Sequence, residues 1–170
     1  MKQNNIPSSS ALRASAGRVV RMLAARGETL ATAESCTGGL IAKTVTDIAG
    51  SSVVFSGACV TYTNEVKMNL LGVDPAIIER ESEVSATCAG AMASGVRERL
   101  HTTYALSTTG YAGPTGGTEK DPVGTVYIAL STKAGTHRER FSAPNGASRT
   151  EVRRAAAMRA LELLENALQT

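Results

Sequence analysis

Aromatic side chains are scarce in this sequence: they make up 4% of the residues, and tryptophan is absent. A protein that stacks nucleobases on aromatic platforms needs more of them, so binding of that kind is disfavoured. Charge of either sign is also modest, with 18 Lys and Arg against 15 Asp and Glu. No basic stripe stands out in the sequence, and we do not expect a nucleic-acid partner.

Cysteine and histidine are few as well. The three cysteines, Cys36, Cys59 and Cys88, are scattered, and they form no CxxC pair. The two histidines are His101 and His137. This set disfavours both a structural zinc site and a disulfide framework, and it is typical of a chain kept in a reducing cytoplasm.

Long hydrophobic runs are missing, so neither a transmembrane segment nor a membrane partner is expected. The first seven residues lack the apolar stretch of a signal peptide. We expect residues 1–10 to be a flexible tip. With 170 residues and 42% hydrophobic content, the remainder is long enough for one domain with a core of its own, which we place at 11–170.

The most informative stretch is Ala31–Gly39, ATAESCTGG. A strand-type segment precedes it and a helix-type segment follows, so small polar residues and two glycines stand at a strand-to-helix corner. Unpaired N–H groups at such a corner attract anions, and a hydroxyl or thiol there is well placed as a nucleophile. The simpler alternative, that Ser35 or Thr37 only caps the helix, stays open.

Strand-type and helix-type segments alternate along the whole chain. This alternation predicts an α/β fold, a three-layer α/β/α sandwich with a mixed sheet of about five strands. The last two strands are expected to form an antiparallel hairpin with an exposed edge. The strand-type segments are 28–33, 53–62, 104–109, 124–130 and 136–141.

Polar residues stand at three predicted strand ends, where ligands bind in open α/β sheets. Ser35 follows the first strand, Tyr62 ends the second, and Thr109 ends the third. Lys67 lies one helical turn past Tyr62, and it could serve as the base of Ser35 if burial lowers its pKa. Tyr62 could then relay a proton or orient the amine. The alternative is an ordinary solvated lysine beside an ordinary strand tyrosine.

Two further segments are candidates for substrate binding. The loop 113–118, GPTGGT, is rich in exposed N–H groups and could wrap a substrate or close over it. Arg149 stands at the predicted start of the last helix, beside unpaired N–H groups, and this placement is typical of a phosphate clamp. For its neighbours Arg153 and Arg154 we favour a plain surface role.

Together these motifs resemble the CinA C-terminal domain family, also known as the PncC type of nicotinamide mononucleotide deamidase. The resemblance covers about residues 14 to 168, in order and with few gaps. The matching segments are AESCTGG at 33–39, DIAGSS at 47–52, VTYTNEVK at 60–67, GYAGPTGG at 110–117 and KDPVGTV at 120–126.

The resemblance implies hydrolysis of the carboxamide of nicotinamide mononucleotide to nicotinate mononucleotide and ammonia. It implies Ser35 as nucleophile with Lys67 and Tyr62 as activating partners, a mixed-sheet α/β/α fold, and neither a metal nor an organic cofactor. The expected partner is this small molecule, and we expect a homo-oligomer. The residues expected to bind substrate are Glu34, Thr37, Gly38, Gly39, Thr109, Gly110, Gly113, Gly116, Gly117 and Arg149.

Two departures accompany the resemblance. Position 108, where we expect an apolar residue, is a threonine. The pyrophosphatase-type activity of the N-terminal domain found in longer CinA chains is not expected of these residues. Three other interpretations stay open: an inactive nucleotide-binding domain, a competence- or DNA-related factor, and catalysis by Cys36, because a thiolate is intrinsically the better nucleophile.

Overall fold

The computed structural model describes residues 6–170, which form six α-helices and a five-stranded sheet. In chain order the elements are α1 (Ser9–Arg26), β1 (Leu30–Glu34), α2 (Leu40–Thr46), a 3₁₀ turn (Ser51–Val53), β2 (Phe55–Val60), α3 (Asn64–Leu71), α4 (Pro75–Glu81), α5 (Ala86–Leu100), β3 (Tyr104–Gly110), β4 (Thr125–Thr132), β5 (Gly135–Ser142) and α6 (Arg149–Gln169).

The sheet is mixed, as predicted, with strand order β2-β1-β3-β4-β5. β1 pairs in parallel with both β2 and β3, whereas β4 pairs antiparallel with β3 and with β5. The predicted hairpin is confirmed, and β5 is the exposed edge strand. Because β1 lies between two parallel partners, the carboxyl ends of β1, β2 and β3 meet at one edge of the sheet.

Alternating side chains along the strands build two different faces. On one face large residues such as Leu30, Leu106 and Ile128 pack with α1 and α6. On the other face alanines such as Ala31 and Ala105 pack with α5. Small residues let that helix approach the sheet closely, and the three-layer α/β/α arrangement follows. Among the described residues no helix combines the length and the apolar character that crossing a membrane requires.

Element boundaries differ from the predictions in a few places. The predicted tip 1–10 falls partly on residues 1–5, which lie outside the described residues, and α1 already begins at Ser9 because Ser8 caps it. Helix α2 ends at Thr46 rather than near residue 48. Strand β2 begins only at Phe55, since the apolar residues before it form the 3₁₀ turn.

The corner between β1 and α2 is built around a buried carboxylate. Gly39, the residue before α2, has φ +91° and no side chain, so it cannot cap the helix itself. Glu34 does this from inside the protein: its carboxylate accepts backbone N–H bonds from Gly39 (3.0 Å), Ile41 (3.1 Å) and Ala42 (2.9 Å). Glu34 is fully buried, so the structure gives no support to the expectation that it binds substrate.

Thr37 and Thr108 extend this polar cluster, to which the Thr32 hydroxyl also donates over 3.3 Å. The Thr37 hydroxyl donates to a Glu34 carboxylate oxygen over 2.7 Å, and the Thr37 and Thr108 hydroxyl oxygens also lie 2.7 Å apart. Both threonines are buried. The Thr37 hydroxyl therefore supports the corner. The hydroxyl of Thr108, where we expected an apolar residue, links the corner to β3.

We expect Glu34→Gln to destabilise the protein by about 1.5–3 kcal/mol, the range for hydrogen bonds to a charged group. An amide has only one oxygen for these donors, and its NH₂ group would confront backbone N–H groups that need an acceptor. Chemical denaturation of both proteins measures the difference. Glu162→Gln is the matched control, because that carboxylate is 45% exposed and its ion pair with Arg159 should contribute less than about 1 kcal/mol. Equal stability of Glu34→Gln and the parent protein would contradict this role.

Candidate active site

A pocket of about 210 Å³ opens where the carboxyl ends of β1, β2 and β3 meet. Ser35, Tyr62 and Thr109, which follow or end these three strands, all line it, as their predicted positions at strand ends required. The complete lining is Ser35, Cys36, Tyr62, Asn64, Lys67, Glu83, Val84, Thr109, Gly110, Tyr111, Ala112 and Arg149.

Ser35 and Lys67 are in direct contact inside this pocket. Thr63 caps α3, so Lys67 falls in the first turns of the helix and its side chain returns toward β1. Its Nζ lies 3.1 Å from the Ser35 hydroxyl oxygen and 2.9 Å from the Thr61 carbonyl oxygen. Lys67 is 1% exposed and is among the largest fully buried side chains of the described residues. The alternative of a solvated helix lysine is therefore wrong.

Burial lowers the pKa of Lys67, because a desolvated ammonium is less stable than a desolvated amine. Electrostatic interactions with the side chains of Cys88, Glu83 and Cys36 raise the pKa of Lys67, but to a smaller extent. A neutral amine can donate one N–H to the Thr61 carbonyl and turn its lone pair to the Ser35 hydroxyl. The geometry and the pKa shift together fit a general base.

Cys36 is poorly suited as the nucleophile. Its side chain is 6% exposed and packs in the core formed with α1 and α6. Burial raises the pKa of this thiol to about 12, so almost no thiolate exists at neutral pH. The nearby carboxylate of Glu34 adds to the rise. Of the two adjacent candidates, Ser35 has the base beside it and Cys36 does not have the charge state that it needs.

Tyr62 and Arg149 contact each other at the mouth of the pocket. The Arg149 guanidinium donates to the Tyr62 hydroxyl over 2.6 Å and to the Gly113 carbonyl over 2.8 Å. The Tyr62 side chain is 56% exposed. The predicted partnership of Tyr62 with Lys67 has no supporting hydrogen bond among the described residues. Tyr62 instead orients a cation at the entrance.

The start of α6 differs in one respect from the prediction. Ser148 and Glu151 form a capping box, in which each side chain accepts the other residue's backbone N–H. This occupies part of the N–H set that was expected to act beside Arg149. Arg153, expected to be a surface residue, donates to the Thr37 carbonyl over 2.7 Å and ties α6 to the corner.

The glycines predicted to bind substrate fall into groups with different positions. Gly110 lines the pocket, and a Cβ there would lie 2.4 Å from the Thr125 carbonyl oxygen, so glycine is required for the close approach of β4. Gly113 borders the pocket through its carbonyl bond to Arg149. Gly38 and Gly39 shape the corner but do not line the pocket.

Gly116 and Gly117 lie in the following loop and do not line the pocket either. This loop is held against the sheet, because the Asp121 carboxylate accepts hydrogen bonds from the Tyr127 hydroxyl and from Arg140. Asp121 is itself buried. The anchored end of the loop gives no support to closure of the whole segment over the substrate.

Sequence patterns did not single out Glu83 or Tyr111. Glu83 stands in the short connection between α4 and α5, where nothing distinguished it from neighbouring acidic residues. The Thr109 hydroxyl donates to the Glu83 carbonyl over 2.8 Å and holds that connection at the pocket. Thr109 thus lines the pocket while its hydroxyl is bound to the backbone. Tyr111 follows β3 inside the segment that resembles the family.

Neither histidine approaches Ser35. His101 caps the carboxyl-terminal end of α5, and His137 lies on the edge strand β5. Neither lines the pocket. In the part of the chain that the structure describes, no group of three or more His, Cys, Asp or Glu side chains could hold a metal ion.

Comparison with known sequences finds relatives whose aligned residues are about 50% identical to this chain. A CinA-like protein of Myxococcus xanthus is 50% identical over 151 residues, which are 88% of this chain and 35% of that protein. A CinA-like protein of Cyanothece is 51% identical over 152 residues, again 88% of this chain and 36% of that protein. The chain therefore spans about a third of the length of these curated relatives.

Solved structures match the fold over nearly the whole chain. The competence/damage inducible protein CihA from Agrobacterium tumefaciens superposes with a TM-score of 0.90 at 38% identity, covering 98% of this chain and 99% of that one. A CinA superfamily protein from Klebsiella pneumoniae gives 0.88 at 32% identity, covering 93% and 98%. The sequence model of the CinA C-terminal domain family matches residues 12–168. This chain therefore belongs to the CinA C-terminal domain family.

Proposed function

We propose that this chain is a nicotinamide-nucleotide amidase, which hydrolyses nicotinamide mononucleotide to nicotinate mononucleotide and ammonia in the recycling of pyridine nucleotides. The observation that carries the proposal is the buried contact between Lys67 Nζ and Ser35 Oγ, 3.1 Å long. A serine paired with a desolvated amine is a recognised way to activate a weak nucleophile for acyl transfer. The identity of the substrate is inferred from the resemblance of the sequence motifs to those of the family.

In the first step the neutral amine of Lys67 takes the proton of the Ser35 hydroxyl as Oγ attacks the carboxamide carbon. A C–O bond forms, and the carbonyl oxygen carries the negative charge of a tetrahedral intermediate. When the C–N bond breaks, the ammonium of Lys67 returns the proton to the leaving nitrogen, and ammonia departs. The product of this step is an ester between Ser35 and the nicotinoyl group.

In the second step water replaces ammonia. Lys67 takes a proton from the attacking water, and its protonated form returns that proton to Ser35 Oγ as the ester C–O bond breaks. The nicotinate carboxylic acid is released, and the enzyme regains its starting charge. Thr61 assists both steps, because its carbonyl accepts an N–H of Lys67 over 2.9 Å and keeps the lone pair directed at Ser35.

Several backbone N–H groups of the corner already have hydrogen-bond acceptors, which leaves few that could bind the oxyanion of the tetrahedral intermediate. The N–H of Ser35 donates to the Thr108 carbonyl, and the N–H of Gly38 donates to the Ser35 carbonyl. The N–H of Gly39 donates to the Glu34 carboxylate. Those of Cys36 and Thr37 have the Cys36 sulfur as their neighbour. Sulfur is a weak acceptor, so these two N–H groups are the best candidates for the oxyanion.

The pocket accommodates only part of the nucleotide. Its volume of about 210 Å³ is below the range of roughly 300–1,000 Å³ typical of whole-ligand sites. We place the nicotinamide ring inside it and the phosphate at the exposed guanidinium of Arg149. Tyr62 supports that guanidinium through its hydroxyl. This arrangement separates bond cleavage at Ser35 from phosphate recognition at the entrance.

The competence- and damage-inducible names of several relatives keep a second interpretation in view. Ammonia release from nicotinamide mononucleotide by the purified protein tests the amidase directly. Binding without ammonia release would indicate an inactive nucleotide-binding domain. A salt-sensitive shift of labelled DNA would favour a DNA-related role.

We expect Ser35→Ala to reduce ammonia release by about a thousandfold or more, because nucleophile and base act as a unit. Cys36→Ala should keep most of the activity, since the thiol is protonated. A continuous ammonia assay measures both, and isothermal titration should find substrate binding to Ser35→Ala largely intact. Loss of activity in Cys36→Ala with retention in Ser35→Ala would show that the nucleophile is the thiol.

We expect the rate to rise with pH as Lys67 loses its proton, with an apparent pKa well below the ordinary lysine value of about 10.4. The direction follows from burial, which favours the neutral amine in the folded protein. Lys67→Met should cost about as much as Ser35→Ala, and the double variant should be little worse than either. Lys67→Arg should also fail, because a guanidinium stays protonated. An active Lys67→Arg enzyme would mean that the charge, not the base, is needed.

We expect Arg149→Ala to lower kcat/KM for the mononucleotide. The loss of transition-state stabilisation should be about 1.5–3 kcal/mol, the range for a hydrogen bond to a charged group. The corresponding riboside, which lacks the phosphate, is the control substrate and should be affected far less. Tyr62→Phe should follow the same pattern with a smaller loss, because it removes only the support of Arg149. If Tyr62→Phe abolished turnover of both substrates, Tyr62 would belong with Lys67 and Ser35.

A further inference from the structure

A second, larger pocket lies between α1, α2 and the start of α6. Its volume is about 440 Å³, and within residues 6–170 it shares no lining residue with the pocket around Ser35. The amidase chemistry proposed above uses none of its side chains. Its size falls within the range of sites that hold a complete small metabolite.

The rim of this pocket is strongly basic. Of the residues that the structure describes, four with cationic side chains line it, Arg13, Lys43, Arg153 and Arg154, together with one carboxylate, that of Asp47. Asp47 accepts from Lys43 over 2.5 Å and lies 3.8 Å from Arg13. A second carboxylate, that of Glu151 in the first turn of α6, interacts with the charge of Arg154. Two carboxylates do not neutralise four cations, so the pocket keeps a net positive charge that favours an anionic ligand.

Arg154 carries the clearest sign of a missing partner. Its Nε atom is buried and has no hydrogen-bond partner among the described residues. An unpaired buried N–H is costly, and the Arg154 side chain, which lines the pocket, would gain an acceptor by turning toward an oxyanion bound there. Arg153 is different, because the Thr37 carbonyl already accepts from it.

The backbone adds to this preference. Ser9 and Ser10 form the first turn of α1, and Thr150 lies in the first turn of α6; all three line the pocket. Two helix N-termini therefore lie at one cavity, and each carries a partial positive charge. The remaining lining includes Leu12 and Leu40, which provide apolar surface that an inorganic ion would not use.

From the four cations, the unpartnered Arg154 Nε and the apolar surface, we propose that this pocket binds a phosphorylated organic metabolite. The phosphate lies against Lys43 and Arg154, and the organic part covers Leu12 and Leu40. The proposal does not rest on the amidase activity, since it concerns binding at a separate site.

Arg153 connects this site to the corner beside Ser35. Arg153 lines the pocket and donates to the Thr37 carbonyl, two residues past the nucleophile. A ligand that draws Arg153 toward its phosphate weakens that bond. One consequence does rest on the proposed amidase function: turnover at Ser35 then changes with ligand concentration, although the ligand does not compete for the Ser35 pocket.

The test is a titration of the full chain with adenosine monophosphate, followed by amide NMR shifts and calorimetry. Leu40, Lys43 and Thr150 should shift, and adenosine without phosphate should not bind. Ribose 5-phosphate should bind too, with inorganic phosphate weaker than both. The double variant Lys43→Gln/Arg154→Gln should weaken binding by about tenfold or more, because each charge-assisted bond to phosphate is worth at least about that factor.

The double variant Arg80→Gln/Lys133→Gln is the control, because it removes the same two charge types from exposed positions outside the pocket. It should bind like the parent protein. Arg149→Gln distinguishes the two sites: adenosine monophosphate binding should persist in it. The proposal is overturned if no binding occurs, if binding survives Lys43→Gln/Arg154→Gln unchanged, or if Arg149→Gln alone abolishes it.

Discussion

The buried carboxylate of Glu34, which no cation of the described residues contacts, determines the local geometry on which the rest of the site depends. Glu34 is fully buried, and the cost of its charge is offset by three backbone N–H groups of the following turn and by the Thr37 hydroxyl. Those N–H groups are available only if the chain turns within a few residues of β1. The tight turn in turn fixes the position of Ser35, which comes directly after Glu34.

Lys67 depends on that position. Its amine is buried beside Ser35, and its charged form would be poorly solvated there. The Thr61 carbonyl and the Ser35 hydroxyl are its hydrogen-bond partners, and the N–H of Thr61 in turn donates to the Glu34 carbonyl. Two buried polar groups of opposite type, Glu34 and Lys67, are thus linked through one short piece of backbone. A displacement of the corner would leave both without their partners.

The sequence predicted the backbone of the site better than its side-chain contacts. The three strand ends and the helix that carries Lys67 followed from periodicity, turn residues and the rule that ligands bind at carboxyl ends of parallel strands. These features are local or topological, so the contact between Ser35 and Lys67 could be anticipated. The partner of Tyr62 could not, because it lies on α6, 87 residues away.

The structural role of Glu34 at the corner could not be anticipated for a related reason. A glutamate beside a nucleophile looks like a ligand-binding group unless the orientation of the next few N–H groups is known. That orientation depends on the positive φ of Gly38 and Gly39, which the sequence allows but does not require. The pocket between α1, α2 and α6 could not be predicted from the sequence, because three segments from both ends of the chain form it.

The first turns of α6 connect these features physically. Arg149 lies at the mouth of the Ser35 pocket, Arg153 holds the corner carbonyl of Thr37, and Arg154 faces the basic pocket. Side chains three to five residues apart on a helix move together when the helix shifts, so these three contacts are not independent. A ligand can bias the helix only through a difference in its contacts between two positions. Arg153 is the side chain that can supply such a difference, because it alone of the three both lines the basic pocket and bonds to the corner that carries the nucleophile.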